Sequence, residues 1–362
     1  HETAFGMRID TGAFKENILK ASEYIQRNSF IERKNSAQKK GLLRGLGVGC
    51  FLETARGAPQ EGVSIRFTEL GKIEIRVGTE SNGQGHETTF KQIASTRLGV
   101  PIEVLEYIQA DTEQVTIGFG HGGARSMHMG AGTMALAIDS AIEKAGRVAA
   151  TLLQTDIEEL SFDKGAFLTR KDQRSVSIIE VASAARNSDV MPSLGENGID
   201  TFYKREEAPF TFPNGCHAAE VEIDPDTGSL TLVNYVMVDD YGSLVNPALT
   251  EGQLHGGVVQ GIGQALEEFV AFDPETGQLL SGSLMDYTAP RAASFPFFKA
   301  HFQGVPTEAN LLGVKGVGQA GCIVAPQVIT HAVLNALQEY NIDHIQMPIT
   351  SQSLWRSIQA AS

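Results

Sequence analysis

Apolar and polar residues alternate through Val63-Ser64-Ile65-Arg66-Phe67 and again through Ile73-Glu74-Ile75-Arg76-Val77, with Leu70-Gly71 between them. A period of two sends one side of each segment into a core, so this stretch predicts a half-buried β-hairpin. Residues 218–224, the turn Pro225-Asp226-Thr227-Gly228 and residues 230–236 predict a second hairpin. Phe272-Asp273-Pro274-Glu275-Thr276-Gly277 echoes that turn, because Asp and Pro start turns and Gly accepts positive φ; the echo is turn chemistry rather than a sequence repeat. Another strand is expected at 105–109. Phe14, Ile18, Leu19, Ala21, Tyr24 and Ile25 recur at helical spacing and predict an amphipathic helix over 12–28, followed by a basic, mobile stretch over 33–44. Further helices are expected over 86–97, from 127 into 153, over 251–269 and over 325–337. Periodicity breaks between 187 and 209, which places a unit boundary there and predicts two units, 1–190 and 191–362.

Four glycine-rich segments stand beside these elements. Residues 78–85 leave the second strand of the first hairpin and feed a helix at His86, so Gln84, Gly85, His86 and Thr88 occupy a helix N-terminus, where unpaired N–H groups and a partial positive charge suit phosphate. The alternative is that Gln84 and Thr88 cap the helix while His86 faces solvent. Arg125 and Ser126 stand behind Gly118 to Gly123 just before another helix. They offer a charged fork and a hydroxyl to a pyrophosphate, or Arg125 pairs with one of the many carboxylates. Gln253 and Gln260 share one face of a helix that also carries Gly257, Gly261 and Gly263, glycines suited to close packing against a ligand or another helix. In Gly313-Val314-Lys315-Gly316-Val317-Gly318-Gln319-Ala320-Gly321, Lys315 supplies a cation and Gln319 a donor and an acceptor. Its last six residues match the dinucleotide fingerprint G-x-G-x-x-G. That reading requires a buried strand immediately before and further β-α units after, whereas Pro306-Thr307-Glu308-Ala309-Asn310 precedes.

Composition narrows the class. With 362 residues, 42% of them hydrophobic, the chain can bury a large core and form two units. Acids outnumber bases 43 to 29, a net charge of -14, which argues against nonspecific binding to nucleic acid or anionic membrane. Cys50, Cys216 and Cys322 are widely spaced and form no C-x-x-C pair, so neither a disulfide framework nor a zinc or iron-sulfur site is indicated, and a reduced cytoplasmic setting is expected. Strand alternation turns Cys216 and His217 to opposite faces, which removes them as a joint metal site. No run of about eighteen apolar residues is apparent.

Six segments in order carry a resemblance: the run from Gly83 to Ile93, Gly122-Gly123-Ala124-Arg125-Ser126-Met127, the run from Pro213 to Asp224, the run from Glu251 to Leu266, the run from Met285 to Ala292, and Gly313 to Gly321. The chain resembles the C-terminal part of the molybdenum-binding large subunit of the xanthine dehydrogenase, aldehyde oxidase and aerobic carbon monoxide dehydrogenase family. That resemblance implies an α+β fold with two sheet-and-helix units around a molybdopterin-binding cleft. It also implies a molybdenum-pterin cofactor, the cytosine dinucleotide form in bacterial members, held through the pterin's sulfurs with no protein metal ligand. The cofactor-side residues it implies are Gln84, Gly85, His86, Thr88, Arg125, Ser126, Gln253, Lys315, Gly316 and Val317. The family's catalytic base is a glutamate in the terminal glycine loop, and here that position is Gln319. The implied partners are an upstream half of the molybdenum subunit, iron-sulfur and FAD subunits and a small-molecule substrate in an oligomeric complex. The implied chain is a piece of a split or longer subunit of a hydroxylase. A non-catalytic structural or assembly subunit that keeps the fold is the alternative.

Overall fold

The computed structural model describes residues 2–186 and 198–361. Among them the helices are α1 (Phe14–Tyr24), α2 (Phe30–Gln38), α3 (His86–Leu98), α4 (Gly132–Leu153), α5 (Ile178–Ala185), α6 (Pro247–Leu266), α7 (Ala320–Ala336) and α8 (Ser351–Ala361). The strands are β1 (Leu43–Leu52), β2 (Glu61–Phe67), β3 (Ile73–Val77), β4 (Leu105–Gln109), β5 (Leu160–Asp163) and β6 (Ala166–Thr169). They continue as β7 (Ser175–Ser177), β8 (Thr201–Arg205), β9 (Asn214–Ile223), β10 (Leu230–Asp240) and β11 (Lys299–Phe302). The fold is α+β, as expected. The chain forms two units that interleave in sequence, one of residues 1–54, 212–306 and 317–362 and one of residues 55–211 and 307–316. The boundary expected at 190/191 lies outside the described residues. Contiguous halves do not arise because β1, near the N-terminus, pairs along its whole length with β9.

The first unit is built on a sheet of order β1-β9-β10-β11, antiparallel except for the parallel β10–β11 pair. Helix α7 covers one face and α6 packs on α7, while α1 and α2 pack on the sheet's other side. Three alternate glycines of β1 explain how α7 comes so close. A Cβ at Gly45 would lie 1.9 Å from the Ala332 carbonyl oxygen, one at Gly47 2.0 Å from that of Val328, and one at Gly49 2.9 Å from Val324 Cγ2. Two strand residues advance about 6.6 Å and four helix residues about 6 Å, so the glycines keep step with one row of α7. The same helix partners β1's outer edge: Asn335 Oδ1 accepts from the Leu46 N–H at 3.0 Å, and His331 Nδ1 lies 3.1 Å from the Val48 carbonyl oxygen. Such pairing protects an edge strand from foreign strands.

Residues 33–44 depart from expectation. In place of a mobile stretch, α2 forms, and Arg33 joins Arg44 on the fully buried Glu220 of β9. The buried carboxylate needs cationic partners, and that need orders the segment. The span Ala320–Tyr340 is also apolar enough and long enough to cross a membrane, with a mean hydropathy of 1.4. Its glycine-fitted seat against β1 makes it a core helix.

The second unit has a sheet of order β4-β3-β2-β8, with β3 and β4 parallel and the other pairs antiparallel. The chain from β3 through α3 to β4 is therefore a β-α-β crossover, and residues 78–85 lie at the carboxyl end of β3. Helix α4 packs on β2 and β8, preceded by a π-helical turn, Ser126–Ala131. A small antiparallel sheet, β5-β6-β7, leads into α5, whose start is fixed by reciprocal bonds between Ser177 and Glu180. The turn echo at 272–277 gives only one bridge, Phe272 to Leu279.

Candidate functional site

In the second unit, three of the predicted segments meet. The backbones of Gly78 and Gly118 pass so closely that a Cβ on Gly118 would lie 2.5 Å from the Gly78 carbonyl oxygen. From that crossing, side chains tie the two loops together. Thr79 and Ser126 hydroxyls are 2.9 Å apart, and Glu80 Oε1 lies 2.9 Å from His121 Nδ1. Gly316 joins them, with no room for a Cβ: Ala124 Cβ, Ala124 O and Ala55 Cβ would each be 2.7 Å away. Lys315, next to it, is buried.

The loop after β3 is shaped by its own residues. Gln84 Oε1 accepts from the Asn82 N–H at 2.6 Å and the Ser81 hydroxyl at 3.2 Å, while Gly83 and Gly85 take left-handed φ values of 128° and 75°. Such values favour glycine. Helix α3 then begins at His86 with no side-chain cap, and its first N–H groups have no partner within the helix. His86 is buried, which removes the alternative that it faces solvent, and its Nδ1 has no hydrogen-bond partner. Burial, with His121 nearby, pushes its pKa down to about 4, so the ring is neutral at pH 7. Thr88 is exposed on the first turn. Burial raises the Glu80 carboxyl, but the His121 hydrogen bond and the neighbouring imidazoles outweigh it and hold Glu80 below its ordinary value.

Arg125 is fully buried and turned inward. It donates to Glu61 Oε2 at 2.9 Å, to the Gly120 carbonyl at 2.9 Å, to that of Ala58 at 3.2 Å and to that of Gln60. The carboxylate-pairing alternative thus describes its guanidinium, which anchors the loop that presents Ser126. Burial pushes Glu61 up to about 7 even though Arg125 pulls it down. Desolvation here exceeds the attraction, as it often does for buried ion pairs.

Gln253, Val317 and Gln319 lie in the first unit. A Cβ on Gly321 would be 2.7 Å from both Leu254 O and Val258 N, and one on Gly261 would be 2.8 Å from Ala325 Cβ. Gly257 and Gly261 of α6 therefore serve helix packing, and they set the start of α7 beside the turn carrying the half-buried Gln253. Gln319 is the exposed cap residue of α7, and its side chain makes no capping bond. The fingerprint loop 316–321 follows a connection from β11 that runs from residue 303 onward without a named strand, so the tight strand-to-helix turn of a dinucleotide fold is missing there.

Sequence reasoning missed the Glu80–His121 pair, Glu61 and a buried network in which His217 bonds Tyr235 and Asp239 at 3.1 Å and Tyr241 donates to Asp239 at 2.8 Å. His121 sits in the glycine loop of 118–123 and carried a usable signal; the others depend on cross-strand register. Cys216 and His217 do face opposite sides of β9. Among the described residues, no group of three or more His, Cys, Asp or Glu side chains could hold a metal ion.

The molybdopterin cofactor-binding domain family matches residues 17–296. The chain belongs to that family. It is 29% identical to the carbon monoxide dehydrogenase large chain of Hydrogenophaga pseudoflava over 99% of this chain and 46% of that one. It is 31% identical to the nicotine 6-hydroxylase large subunit of Paenarthrobacter nicotinovorans over 97% and 45%. Among solved structures, quinoline 2-oxidoreductase from Pseudomonas putida 86 superposes with a TM-score of 0.92 at 29% identity, covering 99% of this chain and 47% of that one. Cu,Mo-CO dehydrogenase gives the same TM-score at 27% identity, over 100% and 47%. The chain spans about half the length of the curated relatives it matches. The chain is thus a molybdopterin-binding domain of the molybdenum hydroxylase family, and the glycine cradle and orphaned His86 Nδ1 fit a polar, phosphate-bearing ligand.

Proposed function

We propose that this chain is the cofactor-binding portion of a cytoplasmic molybdenum hydroxylase that takes the cytosine dinucleotide form of the pterin. It acts on a small molecule, together with an upstream half of the large subunit and with iron-sulfur and FAD subunits. The observation that carries this reading is the meeting, in the second unit, of the α3 N-terminus with the loops around Ser126 and Gly316. The cofactor, when bound, supplies two-electron redox chemistry at molybdenum. The chain's own contribution is positioning. N–H groups of the first turn of α3 hold phosphate oxygens, with Gln84, Gly85 and Thr88 around them. Neutral His86 adds a hydrogen bond without charge, and Ser126 adds a hydroxyl. Lys315 and Gly316 close the cradle, while Arg125 acts through the loop it anchors. In the first unit, Gln253 and Val317 are the cofactor-side residues.

Gln319 stands on the substrate side at the α7 cap. An amide donates and accepts hydrogen bonds but does not take up a proton near neutral pH. A positioned general base contributes about 10²–10⁴ in rate, so the chain with Gln319 orients substrate and turns over slowly unless another base serves. The same amide favours a second reading, a structural or assembly subunit that keeps the fold and cofactor contacts without catalysis. Gln319→Glu, measured in the cofactor-loaded assembly, separates them. A rise in turnover of about 10²-fold or more supports the hydroxylase reading; no turnover in the loaded variant supports the structural one.

A further inference from the structure

Cys50 of β1 and Cys216 of β9 stand directly opposite each other in the antiparallel ladder. Gly49 faces Val324 and Val328 of α7, so Cys50 turns to the opposite side of the sheet. On that side Cys216 packs with Ala218, Val236 and Val238 against Ala21 and Ile25. The two thiols are free and share one face of the sheet. Residues opposed in such a ladder have Cα atoms about 4.5–5.5 Å apart, inside the roughly 4.4–6.8 Å that a disulfide spans. Closing the bond therefore calls for side-chain rotation within an existing strand pair. Access is unequal, since Cys50 is exposed and Cys216 is buried.

We infer that Cys50 and Cys216 are a peroxide-responsive pair, in which Cys50 is oxidised first and Cys216 resolves it to a cross-strand disulfide. The Cys50 thiolate attacks a hydroperoxide oxygen, breaking the O–O bond. It becomes a sulfenic acid, and the leaving oxygen departs as water or an alcohol after taking a proton. The Cys216 sulfur then attacks the Cys50 sulfur, the S–O bond breaks and the sulfenic oxygen leaves as water. In balance, two thiols lose two electrons and two protons, and one peroxide is reduced. The order of attack follows from the local chemistry. The hydrogen bond from Cys216 lowers Cys50 to about 7 against the opposing effect of burial, while the same contact and burial raise Cys216. The accessible sulfur is therefore the one with thiolate character at neutral pH. Cys322 lies on α7 with its thiol raised by burial, and it belongs to neither step.

The test is hydrogen peroxide added in increments to the fully reduced chain, followed by alkylation, digestion and peptide mass analysis. The expected product is one Cys50–Cys216 linked peptide pair lacking two hydrogens, restored by dithiothreitol, with Cys322 alkylated throughout. In Cys216→Ala, Cys50 should instead accumulate as a sulfenic acid that dimedone captures. Should that variant not fold, Cys50→Ser, altered at an exposed position, should leave Cys216 unreacted at peroxide levels that fully link the natural chain. The inference is overturned if Cys50 gains two or three oxygens while Cys216 stays a thiol, if the link runs through Cys322, if Cys50 is untouched, or if Cys216 reacts as readily in Cys50→Ser.

Discussion

Gly47→Ala puts the packing of α7 on β1 to a direct test. The new Cβ would sit 2.0 Å from Val328 O and 2.5 Å from Ala332 N, both backbone atoms of a helix whose neighbours are fully buried. Ordinary contact with a methyl begins near 3.4 Å, so α7 must move by more than an ångström or β1 must bend. No side-chain rotation relieves a backbone clash. Overpacking a close-packed core costs about 1–3 kcal/mol and occasionally more. Relief of glycine's extra unfolded-state entropy returns only about 0.5–1 kcal/mol. Because the clash is with backbone, the cost lies near the upper end of the overpacking range, and after the offset the expected net loss is about 2 kcal/mol, enough to lower the melting temperature by a few degrees. Differential scanning calorimetry of the natural chain and the variant reads it, with loss of protection of the Leu46 amide to hydrogen exchange locating the change. An unchanged or raised melting temperature would refute the proposed reason for the glycine stripe.

Helix α6 offers an internal contrast: a Cβ added to Gly256 would meet no atom within 4 Å, whereas one added to Gly261 would meet Ala325 Cβ at 2.8 Å and Pro326 Cδ at 3.0 Å. Gly256→Ala should therefore stabilise by about 0.8–1 kcal/mol, whereas in Gly261→Ala overpacking of about 1–3 kcal/mol outweighs the same gain and should destabilise by up to about 2 kcal/mol net, and urea midpoints shifted with equal sign would contradict this. Glu53 is buried with Oε2 unpaired, and burial raises its pKa from 4.5 to about 7. Because the folded chain holds that proton more tightly, this group's penalty is absent below pH 4.5 and grows as pH rises toward 7, reaching about 3 kcal/mol. Glu53→Gln should consequently melt higher than the natural chain at pH 8 and by a much smaller margin at pH 5; a margin independent of pH would count against it.

The legible parts of the sequence were those whose physics is local. The β2–β3 hairpin alternates cleanly, the β9–β10 hairpin is marked by its Asp-Pro-Asp-Thr-Gly turn, and the loop into α3 announces itself by glycines followed by helical spacing. Strand β1 did not, because Leu43-Arg44-Gly45-Leu46-Gly47-Val48-Gly49 reads as a glycine-rich connection until the helix that needs those glycines is in place. Helix α2 is too polar to signal a buried face, and its order comes from Glu220, far away in sequence. At the site, the convergence of 78–85, 118–126 and 315–316 was prefigured by residue type, but the direction of each side chain was not. Arg125 looked like an anion ligand beside glycines and instead anchors its own loop on Glu61, which lies 64 residues earlier. His86 stood at a helix start with both a ligand-facing and a solvent-facing placement open, and it is buried. Gln319 was conspicuous from sequence because its chemistry, an amide, is independent of its surroundings.

Molybdenum and released cytidine nucleotide per chain, measured on protein purified with its upstream half and partner subunits from cells competent in cofactor synthesis, test the central claim most directly. The account predicts about one of each per chain, falling sharply when Gly85→Val fills the left-handed glycine at the head of α3. An intact assembly with neither molybdenum nor cytidine nucleotide would contradict it.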